Sequence, residues 1–119
     1  MEDAVRRKLL GLIGLGVRGR LAVVGVQQVR DAAMRHKLVY AIVAPNASKH
    51  SLDKVVPLLQ AKRVRFVEGP SAEELGAAVG RETTAAVGIV DAKLARGIRA
   101  IVEGSGSVGA RDSGPPRAQ

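Results

Sequence analysis

Cysteine and tryptophan are absent from this 119-residue chain, which has one tyrosine, one phenylalanine and two histidines. Without cysteine there is no disulfide scaffold, no thiolate metal site and no cysteine nucleophile, and nothing supports an oxidising compartment. Two aromatic residues exclude stacking on single-stranded bases as the main mode of binding. No apolar run approaches the roughly 20 residues needed to span a bilayer; the best stretch, Leu9 to Val17, is short and interrupted by glycines. Met1-Glu2-Asp3 is acidic before the chain becomes basic, the reverse of the charge order of a secretory leader. These absences point to a cytoplasmic protein with no membrane partner.

What is present is an aliphatic core and an uneven charge. Hydrophobic residues make up 46% of the chain, charged residues 25%, and the mean hydropathy is +0.08. That is enough for one folded domain and argues against wholesale disorder. Net charge is +8. Residues 1–65 hold 13 Lys/Arg and four Asp/Glu, whereas residues 66–119 hold six and seven. The basic excess is confined to the first half, which fits a polyanionic partner and a merely solvated surface equally well.

Hydrophobic periodicity alternates between helix and strand along the chain. Val5, Leu9, Leu12 and Ile13 form a helical stripe over 4–15, with Gly14, Gly16 and Gly19 read as its stop. Leu21 to Val24 reads as a strand ended by Gly25, and Val26, Val29 and Ala33 as one helix face reaching about His36. Leu38 to Val43 is a continuous β-branched run, expected to be buried on both faces. Pro45-Asn46-Ala47-Ser48 is a turn. Leu52, Val55, Val56 and Leu59 form the next helix face, in which Pro57 predicts a break or a second short helix. Val64 to Val67 is a third strand. Ser71-Ala-Glu-Glu74 has the spacing of a capping box, and Gly80 stops the helix it opens. Thr84 to Val90 is a fourth strand, and Asp91 caps a last helix to about Val102. This order predicts an α/β fold, a three-layer α/β/α sandwich around a small mixed four-stranded sheet, as a single domain over 1–103. Residues 104–119, rich in Gly, Ser and Pro, are expected to be a disordered tail.

Most motifs fail on context. Gly14-Leu-Gly16-Val-Arg-Gly19 has the GxGxxG spacing, but a helix precedes it and a strand follows, the inverse of the dinucleotide fingerprint. There is no phosphate-binding GxxxxGK[ST] segment. Asn46-Ala-Ser48 matches a glycosylation sequon, read here as a turn. His36 and His50 lack a partner at ligand spacing; His36 is better explained at the carboxyl end of a helix. Ser48, Ser51 and Ser71 have no nucleophile-elbow setting. Glu73 and Glu74 are adjacent and read as first-turn helix acids, not as a catalytic pair. The residues therefore imply no enzyme, no cofactor, no metal and no small-molecule substrate.

Three segments carry more weight together: Gly25-Val-Gln27-Gln28-Val-Arg30-Asp31-Ala32 opening a helix after a strand, Val43-Ala-Pro-Asn-Ala-Ser48 leading to Val56-Pro57-Leu58-Leu59, and Ser71-Ala-Glu-Glu-Leu75-Gly76-Ala-Ala-Val79-Gly80-Arg81 before the last strand. Over residues 6–100 the chain resembles the L-seven-Ae family of ribosomal and kink-turn RNA-binding proteins, above all its short stand-alone bacterial members. The resemblance implies a sandwich that binds a kinked helix–bulge–helix at one end of the sheet. In that family a Gly-x-Asn-Glu-x-x-Lys segment enters the RNA groove at sheared G·A pairs. The glycine falls on Gly25, the Asn and Glu on Gln27 and Gln28, and the lysine on Asp31. Gln27 and Gln28 keep amide donors and acceptors for base edges. Asp31 departs, replacing attraction for phosphate with repulsion, and Arg30 points about 100° away around the helix.

A helix start led by glycine is itself an anion site, offering free amides at the positive end of the dipole. Arg18, Arg20, Arg30, Arg35, Lys37 and Lys49 are candidates to neutralise phosphates, contacts that set affinity rather than sequence. The family's second contact, a loop after the Leu-Gly helix that packs on an extruded base, maps to Gly80-Arg81-Glu82-Thr83-Thr84-Ala85; Arg81, Thr83 and Thr84 are its candidate RNA-binding residues. The expected partner is structured RNA, with ribosomal RNA among the candidates. The alternative is a protein-interaction module that kept the fold with a degraded RNA site.

Overall fold

The computed structural model describes residues 1–104. Five helices alternate with four strands: α1 (Asp3–Arg18), β1 (Ala22–Val24), α2 (Val26–Met34), β2 (Tyr40–Val43), α3 (Lys49–Ala61), β3 (Phe66–Glu68), α4 (Ala72–Val79), β4 (Ala86–Ile89) and α5 (Ala92–Glu103). The sheet order is β1-β4-β2-β3. β4 runs antiparallel between β1 and β2, while β2 and β3 are parallel. This is the expected mixed four-stranded sheet between helical layers. The expected tail, beyond Gly104, lies outside the described residues.

Strand alternation divides the core in two. Tyr40 and Ile42 of β2, with Val87 and Ile89 of β4, pack with Leu9, Ile13, Leu75 and Ile98 from α1, α4 and α5. Ala41, Val43 and Ala86 face the other way and pack with Val29, Val55, Leu59 and Phe66 beneath α2 and α3. All four residues of β2 are buried, as its unbroken apolar run predicts.

Helix ends follow the local chemistry. Ser71 Oγ accepts from the Glu74 amide, the Glu74 carboxylate accepts from the Ser71 amide, and Gly80 closes α4 in the left-handed region at φ +80°. Asp91 accepts from the Leu94 amide at 2.9 Å and opens α5. Two expectations are corrected. Gly14 and Gly16 do not stop α1, which runs on to Arg18 with Gly19 as its C-cap. They are sites of close packing: a Cβ on Gly14 would sit 2.9 Å from the Ala78 carbonyl oxygen, and one on Gly16 would strike the Leu94 side chain. Pro57 does not break its helix either. It lies inside an unbroken α3 with its own side chain exposed, while Val55 and Leu59 on either side are buried; burial of that face outweighs one missing hydrogen bond.

The ends of α1, α2 and α3 share one turn. In each, two reverse hydrogen bonds wrap the last carbonyls: Leu21 N–H to Gly16 and Arg20 N–H to Val17, Lys37 N–H to Ala32 and His36 N–H to Ala33, Val64 N–H to Leu59 and Arg63 N–H to Gln60. This geometry needs a left-handed residue, usually glycine. Here it is Arg20 (φ 62°), His36 (φ 59°) and Arg63 (φ 60°), at a cost of about 1–2 kcal/mol each. His36 thus lies beyond α2, not in its last turn.

Candidate nucleic-acid interface

Strand direction sorts the candidate residues between the two ends of the sheet. β1, β2 and β3 all end where β4 begins: Gly25 N–H donates to the Ala86 carbonyl, Ala44 N–H to Ala85, and Gly69 N–H to Val43. At this end stand the amino termini of α2, α3 and α4 and the loop 80–85. Gly25 is the N-cap of α2 at φ +98°, a conformation L side chains avoid, and it supplies no side chain to cap the helix. The first amides of α2 are therefore open to an outside acceptor. Gln27 and Gln28, on the first turn, are exposed.

The loop after α4 meets this helix start. A Cβ built on Gly25 would lie 3.7 Å from Arg81 Nη1. The loop is placed by Gly76, where a Cβ would come within 2.6 Å of Thr83 Cα and 2.7 Å of the Glu82 carbonyl oxygen. Arg81 N–H donates to the Gly76 carbonyl, and Thr84 N–H to that of Ala72. Arg81, Glu82 and Thr83 are exposed. Thr84 is 6% exposed and its hydroxyl donates to the Ala86 carbonyl, so it fastens the loop from within.

Several cations expected around Gly25 are engaged or elsewhere. Arg30 Nη1 donates to the Lys54 carbonyl at 2.7 Å, across to α3. Asp31 pairs with Arg35 at 3.3 Å, which partly offsets its repulsion toward phosphate. Lys49 pairs with Asp53 at 2.7 Å, and that hydrogen bond, more than the charge itself, raises the ammonium pKa. Arg18 and Arg20 precede β1 and so lie at the opposite end of the sheet from Gly25, together with Arg35 and Lys37. The basic excess of the first half is thus split between two ends, and much of it faces away from the glycine-led corner.

Asn46, read from sequence only as a turn residue, ties this end together. Its Oδ1 accepts from the Ala72 amide at 2.8 Å and its Nδ2 donates to Glu73 Oε1 at 3.0 Å. The bond from Asn46 is the main reason the Glu73 carboxyl is held below its ordinary pKa. An Asn before a helix signals a local cap; that it caps a helix 26 residues on is invisible without the fold. Among the described residues no group of three or more His, Asp or Glu could hold a metal ion, and no helix is long and apolar enough to cross a membrane. An open apolar groove lined by Leu12, Leu15 and Ile101 runs between α1 and α5, on the layer opposite α2.

Comparison with known proteins gives a coherent set of likenesses. The profile of the Ribosomal protein L7Ae/L30e/S12e/Gadd45 family matches residues 8–98. A solved structure described as a protein with unknown function from Bacillus halodurans C superposes with a TM-score of 0.73 at 25% identity, covering 80% of this chain and 96% of its own. The Giardia lamblia 15.5kD RNA binding protein gives 0.71 at 22% identity, covering 86% and 88%, a likeness of fold. Among curated proteins there is no significant match.

Proposed function

Since the chain belongs to the Ribosomal protein L7Ae/L30e/S12e/Gadd45 family, we propose that it is a non-enzymatic RNA-binding protein of ribosomal type that recognises a kinked helix–bulge–helix. The observation that carries this reading is the meeting of Gly25 with Arg81. It joins in one corner the two segments, the start of α2 and the loop after α4, that the resemblance assigns to RNA. Open amides at the helix start receive a phosphate, Arg81 neutralises a second one, and Gln27 and Gln28 reach base edges from the exposed first turn. Thr83 lines the loop on which an extruded base would pack. Glu82 beside Arg81 and Asp31 on the second turn temper the potential, so shape and hydrogen bonding carry more of the affinity than bulk charge. The partner is structured RNA, and the setting is the cytoplasm.

A gel-shift titration with a kink-turn RNA, against a plain duplex and over a salt series, tests this. Binding to the kinked RNA tenfold or more tighter than to the duplex is expected; equal affinities would reject the specific reading.

A second reading has its own support. The arginine within α2, Arg30, is turned to a backbone carbonyl, and the position of the family's lysine is a carboxylate held by Arg35. Both fit a protein-interaction module built on the same fold. Partners retained from lysate after ribonuclease digestion would favour it over RNA recognition.

A further inference from the structure

We infer that the carboxyl ends of α1, α2 and α3 form a second RNA-binding face, at the end of the sheet opposite Gly25, that holds the phosphate backbone of a separate duplex segment. The inference goes beyond the kink-turn reading and rests on it only for the identity of the polyanion.

Topology makes the face. The three helices end where β1, β2 and β3 begin, and backbone bonds place those entries in one row: Val90 N–H to the Leu21 carbonyl, Val39 N–H to Ile89, and Ala41 N–H to Arg65. Four adjacent strands at about 4.8 Å spacing make the row roughly 15 Å long. Along it stand Arg18 in the last turn of α1 and Arg20 after it, Lys37 after α2, and Lys62 and Arg63 after α3. Among the described residues none of these five makes an ion pair, and all but the half-buried Lys62 are exposed. The carboxylates nearest this end are engaged: Asp31, within α2, with Arg35, and Asp91 with the Leu94 amide. Glu103, at the far end of α5, is taken up by Arg65 and Arg99.

Helix ends attract cations in any case, since each carries about −0.5 of an elementary charge. Three such ends are outweighed by five unpaired cations, so the surplus is not explained by compensation of the dipoles. The left-handed positions add a second, independent observation. Arg20, His36 and Arg63 occupy backbone that glycine adopts without strain; at each site the fold bears a cost to display a cationic or imidazole side chain. Tyr40 and Phe66 are each only 1% exposed, so neither offers a ring for base stacking, and the cations favour contacts to the phosphate backbone. Leu21 and Val39, 38% and 44% exposed, lie among the cations and present apolar surface to ribose.

The test pairs two RNA probes with two variants. A plain duplex reports on this face. A minimal kink-turn hairpin reports on the Gly25 corner and is too short to wrap a molecule 35 × 30 × 28 Å across. In Arg20→Gly/Lys37→Gln/Arg63→Gly we expect duplex affinity at low salt to fall tenfold or more and its salt dependence to flatten by about three phosphate contacts. Kink-turn affinity should stay within about twofold of wild type, and the thermal midpoint should hold or rise, because two strained positions become glycine. Gln27→Ala/Arg81→Ala should do the opposite to the two probes. Unchanged duplex binding in the triple variant overturns the proposal. Equal loss on both probes overturns it too, by reducing the face to net charge. Displacement of the duplex by poly-glutamate at equal charge also overturns it, in favour of an acidic protein partner. If wild type ignores the kink-turn hairpin while the triple variant loses the duplex, this face stands and the kink-turn reading falls.

Discussion

Gly25 and Arg81 lie 56 residues apart in the chain, yet the arginine guanidinium stands 3.7 Å from where a β-carbon on that glycine would be. The two expected contact segments are therefore one surface. Arg81→Ala is expected to weaken kink-turn binding about fivefold to tenfold and to reduce the salt slope by about one contact, with little change in stability for an exposed side chain. Filter binding at two ionic strengths with a parallel thermal melt separates these effects. Gly25→Ala must hold a side chain at φ +98° and is expected to lose about 1 kcal/mol or more of stability as well as affinity.

Gly76 is a position of contact between backbone and backbone. A methyl there meets Thr83 Cα and the Glu82 carbonyl, neither of which can swing aside as a side chain would. Gly76→Ala is expected to destabilise by about 1–3 kcal/mol, equivalent to about 4–8 °C in midpoint for each kcal/mol. It should also lower RNA affinity by displacing the loop that carries Arg81. A melt with normal midpoint and normal binding would contradict this account of the loop.

Asn46→Ala leaves the Ala72 amide without its acceptor, a loss of about 1–2 kcal/mol at neutral pH by analogy with other helix caps. It also removes the donor that lowers the Glu73 pKa. A carboxylate with a depressed folded pKa adds stability above its unfolded value and loses it as pH falls through the folded one. The wild-type advantage over Asn46→Ala should accordingly shrink on acidification below about pH 4.5, and the variant should show a shallower acid limb. Urea unfolding at neutral and acid pH reads both.

Pro57→Ala restores an N–H to the interior of α3 at an exposed site. The helical gain, about 3 kcal/mol at most, exceeds the roughly 1 kcal/mol lost when the unfolded chain becomes freer. A net stabilisation of roughly 1–2 kcal/mol is expected, visible as a raised urea midpoint.

The alternation of helices and strands was legible because each element carries its own signal: the doubly buried run of β2, the Ser71–Glu74 box, Gly80 and Asp91. What could not be read locally depends on which elements become neighbours. Gly14 looks like a helix stop until Ala78 is known to lie against it, and Pro57 looks like a break until the flanking face is seen to be buried. Gly25, Gln27, Gln28 and Arg81 were legible as a group only through the family resemblance; their meeting depends on β4 lying beside β1. The same pairing sends Arg18 and Arg20 to the far end, which charge counting along the chain has no means to register. Asn46 and Gly76, which shape the corner by holding its backbone, carry no periodic signal.

The pairing of β1 with β4 also imposes an order on events during synthesis. Gly25 is made before Ala86, and its amide has no carbonyl to meet until Ala86 has followed it out; Arg81 arrives only just before. A chain halted between α2 and residue 80 holds that helix yet lacks the corner it forms with Arg81. The corner therefore forms in one step, when the segment that carries Arg81 and Ala86 joins the segment that carries Gly25.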